Sequence, residues 1–245
     1  MSHDFENFSE GDWENRGELA WSEFDWQQYL KQNEKEIARF LALYLQYKHE
    51  PTHLDTVAKL MEWGDDDWAP ADDHEARHRS QTTTATAEAT PPAPPPEDEE
   101  DDDEQVYTIH RHPVFIATRG LYQHIYQVWE HFMGPANPFA NPQLAWKFGS
   151  SLHAGELNAI MAIHALDLLD FTLAICHLKN ALSAVNHSQS MLQMLPPVHT
   201  AHHVAFFREI QTALFDLREI WLRVMSDCRE EHRRRTAGEQ TEEKE

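Results

Sequence analysis

The sequence is poor in cysteine and glycine, with two of the former and eight of the latter in 245 residues. Cys176 and Cys228 provide neither a disulfide framework nor the paired spacing of a zinc site, and both lie in apolar helical patterns. We therefore expect two reduced core residues and a cytoplasmic location. The sequence has no glycine-rich phosphate loop and no alternating strand pattern, and its acidic first residues lack the apolar run of a secretory signal.

Basic residues are also scarce, with 20 Lys and Arg against 42 Asp and Glu and a formal net charge of −22. The deficit lies in the first half: residues 1–104 hold 28 acidic and 8 basic residues, and residues 105–245 hold 14 and 12. Carboxylates repel phosphates, so this balance argues against nucleic acid and anionic membrane as partners. It favours a protein partner, which we expect to be basic, or self-association.

One apolar run, residues 157–178, is long enough to be tested as a membrane span. Its ten Leu, Ile and Phe residues contribute roughly −3 to −6 kcal/mol to insertion, whereas Asp167 and Asp170 near its centre cost about 5–7 kcal/mol together. The balance predicts a buried helix and no membrane association. The surrounding segment from His153 to His187 is free of proline and apolar on nearly every side, which is typical of the central helix of a bundle.

The pattern as a whole predicts an all-α fold. We expect a mobile acidic tail over residues 1–21, a helical hairpin over 22–64, and a disordered acidic, proline-rich linker over 65–105. A bundle core of three long helices should occupy residues 106–235, followed by a disordered tail over 236–245. The sequence leaves open whether the hairpin completes the bundle or docks on another protein.

Proline, glycine and capping residues set the expected helix ends. Ser22 should cap the first helix with Asp25, and Pro113 and Pro142 should open two later helices. The central helix should run on to about residue 195, with a kink at a glycine near its start. The last helix, about 199–234, carries a heptad seam. The seam consists of Phe207, Ile210, Leu214, Leu217, Trp221, Val224 and Cys228.

Five residues of the central helix could form a mononuclear or dinuclear transition-metal site. Their helical positions fall within one sector of about 120°, as in metal-binding bundles. The candidates are His153, Glu156, His164, Asp167 and Asp170, with further ligands from His124, Glu130 or His131. The alternative interpretation is structural, because antiparallel packing places Glu156 level with Arg119, and Asp167 and Asp170 near Arg223 and Arg229.

Tryptophans interleaved with acids are the other unusual feature of the first half. Such residues anchor protein interfaces, although some of them could simply pack within the hairpin. The candidates are Trp21, Trp26, Trp63 and Trp68. The sequence therefore predicts a non-enzymatic helical interaction or assembly module without a cofactor. The alternative is a metal-binding bundle with redox or hydrolytic activity.

Overall fold

The computed structural model describes residues 21–64, 108–134, 141–194 and 201–242. These ranges are helical and contain no strand, which confirms the all-α class. The expected linker and Trp68 lie outside the described residues, as does the expected tail up to residue 20. The helices are α1 Glu23–Tyr47, α2 His53–Leu60, α3 Pro113–Phe132, α4 Pro142–Asp167, α5 Phe171–Gln193 and α6 Ala201–Glu242, with a short 3-10 turn at Ile109–Arg111 before α3.

The helix starts follow the predicted capping residues. The backbone N–H of Ser22 donates to the Asp25 carboxylate at 2.8 Å, and the Asp25 N–H donates to the Ser22 hydroxyl at 3.3 Å. Pro113 is the first residue of α3, and Pro142 is the first residue of α4. These signals act locally, so the sequence alone is enough to locate them.

The expected single central helix is wrong, because the chain breaks between α4 and α5. Leu169 has a positive φ of 60°, its N–H donates to the carbonyl of Leu166 at 2.9 Å, and the Asp170 N–H donates to that of Ala165 at 2.9 Å. This is a Schellman end built on leucine where glycine is usual. Asp170 then caps α5 by accepting from the Leu173 N–H at 2.9 Å.

The break gives the C-terminal part four α-helices where three were predicted. α3, α4, α5 and α6 each pack against the next, and α6 returns to α3, which closes a four-helix bundle. α4 runs unbroken through Gly149 and Gly155, so neither glycine kinks it as expected. Gly155 instead lets Tyr122 of α3 approach closely, since a Cβ there would overlap the tyrosine hydroxyl.

α6 buries its predicted seam inside this chain, with only Phe207 partly exposed. The helix also extends past the predicted end at Arg234 to Glu242, into the segment expected to be disordered. Two contacts of Arg235 account for part of the extension. Within α6, Arg235 Nε donates to Glu231 at 3.1 Å, and the Arg235 guanidinium lies 4.7 Å from the ring of Phe171 on α5.

The chain divides into two compact units, residues 1–36 and 37–245. In the first, Trp21 and Trp26 meet edge to face at 4.7 Å, and Trp21 lies 5.1 Å from the ring of Tyr29. In the second, the hairpin contributes Phe40 and Tyr44 to the same buried core as the bundle. α2 ends at Leu60, earlier than the predicted stop at Gly64.

The two cysteines differ in environment. Cys228 is buried, and burial together with the nearby Asp227 carboxylate raises the pKa of its thiol to about 12. Cys176 is exposed on α5, so the expectation that both are core residues is wrong for this one. Within the described ranges, no helix combines the length and apolar character needed to span a bilayer.

Candidate functional site

Glu156, one of the five candidate metal ligands, lies buried against α3. Its carboxylate pairs with the guanidinium of Arg119 and accepts a hydrogen bond from the Tyr126 hydroxyl at 3.1 Å. Burial, reinforced by the charge of Glu156, raises the pKa of Tyr126, so the phenol stays protonated and donates. The structure thus forms the Arg119 pair that the helix register predicts.

The other four candidates do not gather around Glu156. Asp170 caps α5, and Asp167 lies half-buried at the last residue of α4. His153 and His164 are exposed. In the part of the chain that the structure describes, no three His, Cys, Asp or Glu side chains are grouped so as to hold a metal ion.

Arg223 does not pair with Asp167 or Asp170, so that part of the structural interpretation is wrong. Its Nη1 lies 2.5 Å from Oδ1 of Asp55 on α2, and its Nε lies 3.0 Å from Glu219. The register that suggested the pairing assumed one continuous central helix. Since α4 ends at Asp167, the helix lying beside α6 is α5.

The hairpin meets the bundle through charged and polar side chains. Nζ of Lys48 lies 2.5 Å from Oε2 of Glu209 on α6, and Nε2 of His124 on α3 lies 3.4 Å from the same oxygen. The Lys48 side chain is 13% exposed and that of Glu209 is 30% exposed, so water screens this pair only in part.

A second group lies next to it, around Asp216 of α6. The Tyr44 hydroxyl donates to Oδ2 of Asp216 at 2.7 Å, and Nε2 of His53 lies 3.0 Å from the same oxygen. Nδ1 of His53 lies 2.9 Å from the carbonyl of Glu50. We call the interactions of α1 and α2 with His124, Glu209, Asp216 and Arg223 the hairpin contact.

Burial and neighbouring charges shift the pKa of three groups of the hairpin contact, Tyr44, His124 and Glu209. Burial, with the Asp216 charge, raises the pKa of Tyr44, which therefore remains a donor. Burial, with the charge of Lys48, lowers the pKa of His124. Burial alone would raise the pKa of Glu209, but its bonds to Lys48 and His124 hold it below the usual range.

The candidate interface tryptophans occupy different places. Trp63 is half-buried and stacks on Phe40 at 5.7 Å, which is the packing role considered for it. Trp21 and Trp26 form the small aromatic group at the start of α1, where Trp26 is 43% exposed. Trp68 lies outside the described residues. An interaction role for these residues stays a prediction.

The least expected surface is on α4 and α5, on the side of the bundle away from α3 and α6. Six exposed positions of α4 and its C-cap fall within a sector of about 60°, and a matching row on α5 continues the surface. We call these residues the outer face: Trp146, Ser150, Leu157, Met161, His164 and Leu168 of the first row and Leu173, Cys176, Asn180, Ser183 and His187 of the second.

The outer face combines five large apolar side chains with smaller and polar ones and has no carboxylate, and Lys147 lies at one end of it. Its five large apolar side chains are 43–77% exposed, with Trp146 and Leu168 highest at 77% each. None of its positions is acidic, and residues 142–194 together contain three of the 42 carboxylates of the chain. A shallow depression of about 520 Å³ lies at one end, lined by Trp146 and His187 and by small side chains such as Ser150 and Ser183.

Comparisons with protein-family models, with curated proteins and with solved structures find no match for this chain. Its function must therefore be argued from the site itself.

Sequence reasoning missed the hairpin contact, although a signal for it exists. Glu209, Asp216 and Arg223 recur every seven residues along α6, beside the apolar seam. Such a polar row beside a buried seam marks a helix edge covered by further polar groups. All three bond to or pair with the hairpin: Lys48 reaches the first, Tyr44 the second and Asp55 the third.

Proposed function

We propose that this chain is a non-enzymatic helical module that assembles with another protein surface through the outer face of α4 and α5. The observation that carries the proposal is the exposure of Trp146, Leu157, Met161, Leu168 and Leu173 on one side of α4 and α5, among positions without a carboxylate. A row of large exposed apolar side chains on one face is typical of a surface that binds something.

The burial of apolar side chains in the hairpin also supports the choice of the outer face as the binding surface. Phe40, Tyr44 and Val57 of the hairpin are at most 2% exposed and belong to the common core. In the hairpin from Ile37 onward, the large apolar side chains left exposed are Leu45 at 38% and Leu60 at 40%. The α4 and α5 side of the same bundle carries five such side chains, at 43–77%.

The polar groups that could support chemistry are engaged elsewhere. Glu156 is held by Arg119 and Tyr126, and Glu209 by Lys48 and His124. Each carboxylate lies against a cationic side chain and a second hydrogen-bond donor, which is the arrangement of a structural ion pair. Nothing in the placement of the five candidate ligands favours the alternative transition-metal site over these pairs.

A cytoplasmic location belongs to the same proposal. Its support is that Cys176 and Cys228 are both free thiols, which is the usual state of cysteine in a reducing compartment.

The test is capture of partners from a lysate of the source organism by the full chain. The comparison is between the wild type, a Leu157→Glu/Leu168→Glu variant and a matched Phe215→Glu control on α6, where Phe215 is 54% exposed. We expect a partner retained by the wild type and the control and lost with the double variant. A partner retained by all three would contradict the proposal, and so would a wild type that captures nothing and is also monomeric in solution.

A further inference from the structure

We infer that the occupant of the outer face is a second copy of this chain, packed with its α4 antiparallel to α4 of the first copy about a two-fold axis at Leu157. This inference rests on the proposed function and names its partner. The assembly is then a homodimer in which α4 and α5 of one copy pack on α4 and α5 of the other, which makes a four-helix interface.

Charge favours the outer face for contact between two copies. The net charge of −22 lies almost wholly in residues 1–104, whereas residues 105–245 hold 14 acidic and 12 basic residues, so two copies repel one another least where their bundles meet. The outer face has no carboxylate, so it is a surface that two copies can bring together without placing acid against acid. A basic partner would gain nothing electrostatically there, whereas the acid-rich first half of the chain would attract it.

The order of residues along α4 suits a two-fold axis at Leu157. Trp146 and Leu168 are equally far from Leu157 in sequence, and so are Ser150 and His164. A two-fold axis at Leu157 therefore places Trp146 opposite Leu168 of the second copy and Leu157 opposite itself. An isologous interface requires this property, because each residue must accept its symmetry mate.

The two ends of the outer face differ in shape. The depression lies at the Trp146 end of the outer face, and the protruding Leu168 and Leu173 lie at the opposite end, beside the turn between α4 and α5. The same axis brings those two leucines of one copy over the depression of the other, twice per dimer. The small side chains of Ser150 and Ser183 leave room for them.

The available area suits a stable dimer. The 26 residues of α4 span about 39 Å, and two adjacent helices give a face about 20 Å wide. Multiplying this length by this width gives a face of about 800 Å² per copy, which is the area that each partner buries in a standard specific interface.

The experiment measures the mass of the purified full chain in solution by light scattering and sedimentation. We expect the wild type at twice the chain mass of 28.6 kDa. Leu157→Glu places two carboxylates against each other on the axis and should weaken the dimer at least about 100-fold, to the monomer mass. Phe215→Glu is the matched control, because Phe215 is 54% exposed and Leu157 is 50% exposed. Phe215→Glu should leave the dimer intact.

A monomeric wild type would overturn the inference, as would a dimer that survives Leu157→Glu or one that Phe215→Glu also dissociates. These outcomes are separable from failure of the proposed function. If the wild type is monomeric and still loses a captured partner in the Leu157→Glu/Leu168→Glu variant, the outer face binds a different protein and only the homodimer is wrong.

A second measurement tests the axis itself and does not depend on destabilising the chain. Leu157→Cys should form a covalent dimer with a short bismaleimide, because residues on the axis face their own mates. The wild type, whose exposed thiol is Cys176, and Leu222→Cys on α6 should not. Equal cross-linking of all three proteins, or none in Leu157→Cys, would overturn the antiparallel arrangement.

Discussion

Two opposite sides of the four-helix bundle are built from contrasting chemistry. The α3 and α6 side carries charged and polar residues, and the hairpin covers it. The α4 and α5 side carries Leu157, Met161 and Leu168 and is left open by the described residues. The hairpin contact therefore adds ion pairs and hydrogen bonds to apolar packing, whereas large apolar side chains of α4 and α5 face water.

The contrast shows that charge in this chain is used for internal docking. Lys48, Tyr44 and Asp55 each find an oppositely charged or accepting partner on α6, which fixes the hairpin in one orientation. The outer face has no carboxylate and makes no comparable set of ion pairs among the described residues, and its largest exposed side chains are apolar. Changing equivalent residues on the two sides should separate these roles.

The largest effect is expected from two helical glycines, one on each side. A Cβ on Gly120 of α3 would lie 2.7 Å from Cδ1 of Phe40, whereas a Cβ on Gly149 of α4 would meet nothing within 4 Å. Gly120→Val should lower the free energy of unfolding by about 3 kcal/mol, because the hairpin must shift to admit the side chain. Gly149→Val should be neutral or slightly stabilising. Chemical denaturation measures both, and equal effects would show that the hairpin is not closely packed on α3.

Two lysines provide the next comparison. Lys48→Met leaves the half-buried Glu209 without its main partner and should cost about 2 kcal/mol. Lys147, beside the outer face, forms no ion pair with any described residue, so Lys147→Met should change stability by less than about 0.5 kcal/mol. Thermal unfolding of both variants in low and high salt checks this. If Lys48→Met lowers the stability as little as Lys147→Met does, the ion pair between Lys48 and Glu209 does not hold the hairpin.

The hairpin contact should also depend on pH, through His124. Burial and the Lys48 charge lower the pKa of this histidine below its unfolded value of about 6.5. The unfolded chain then takes up the proton first, so His124 removes stability as the pH falls below about 6.5. Lys48→Met should raise the pKa of His124, and Lys147→Met should leave it where it is. An NMR titration of the imidazole measures the shift, and no rise in Lys48→Met would contradict the proximity of the two charges.

The smallest effect concerns the turns that end α2 and α4. Each contains one non-glycine residue with positive φ, Glu62 at 64° and Leu169 at 60°. Glu62→Gly should stabilise the protein by about 0.5–1 kcal/mol, since glycine adopts this conformation without strain and the lost side chain is exposed. Leu169→Gly should stabilise the protein less, because Leu169 is half-buried against the core and the substitution removes that packing. The reverse order in calorimetry would mean that backbone strain is not what distinguishes the two turns.

Features that depend on neighbouring residues could be predicted from the sequence. The Ser22 and Asp25 capping box, the starts at Pro113 and Pro142, and the seam along α6 all follow from local patterns. The pair between Arg119 and Glu156 was also predictable, because it needs only the register across one short loop.

The remaining features could not be predicted, for two physical reasons. The turn between α4 and α5 has neither glycine nor proline, and a leucine with positive φ leaves no sequence signal. A register based on one continuous helix places Asp167 and Asp170 near Arg223, whereas Arg223 pairs with Asp55 and Glu219 and Asp170 caps α5. The hairpin contact joins Lys48 to Glu209 across most of the chain, and such pairings emerge only when the helices are assembled.

The unequal burial of the two cysteines gives the protein a built-in chemical reporter. The Cys228 thiol is buried and has a pKa near 12, so it presents almost no thiolate to an alkylating reagent. Cys176 lies exposed on the outer face. Mass spectrometry after brief exposure of the unmodified chain to iodoacetamide should therefore find a single adduct. In the proposed dimer, where the outer face is covered, that adduct should form more slowly than in the Leu157→Glu monomer.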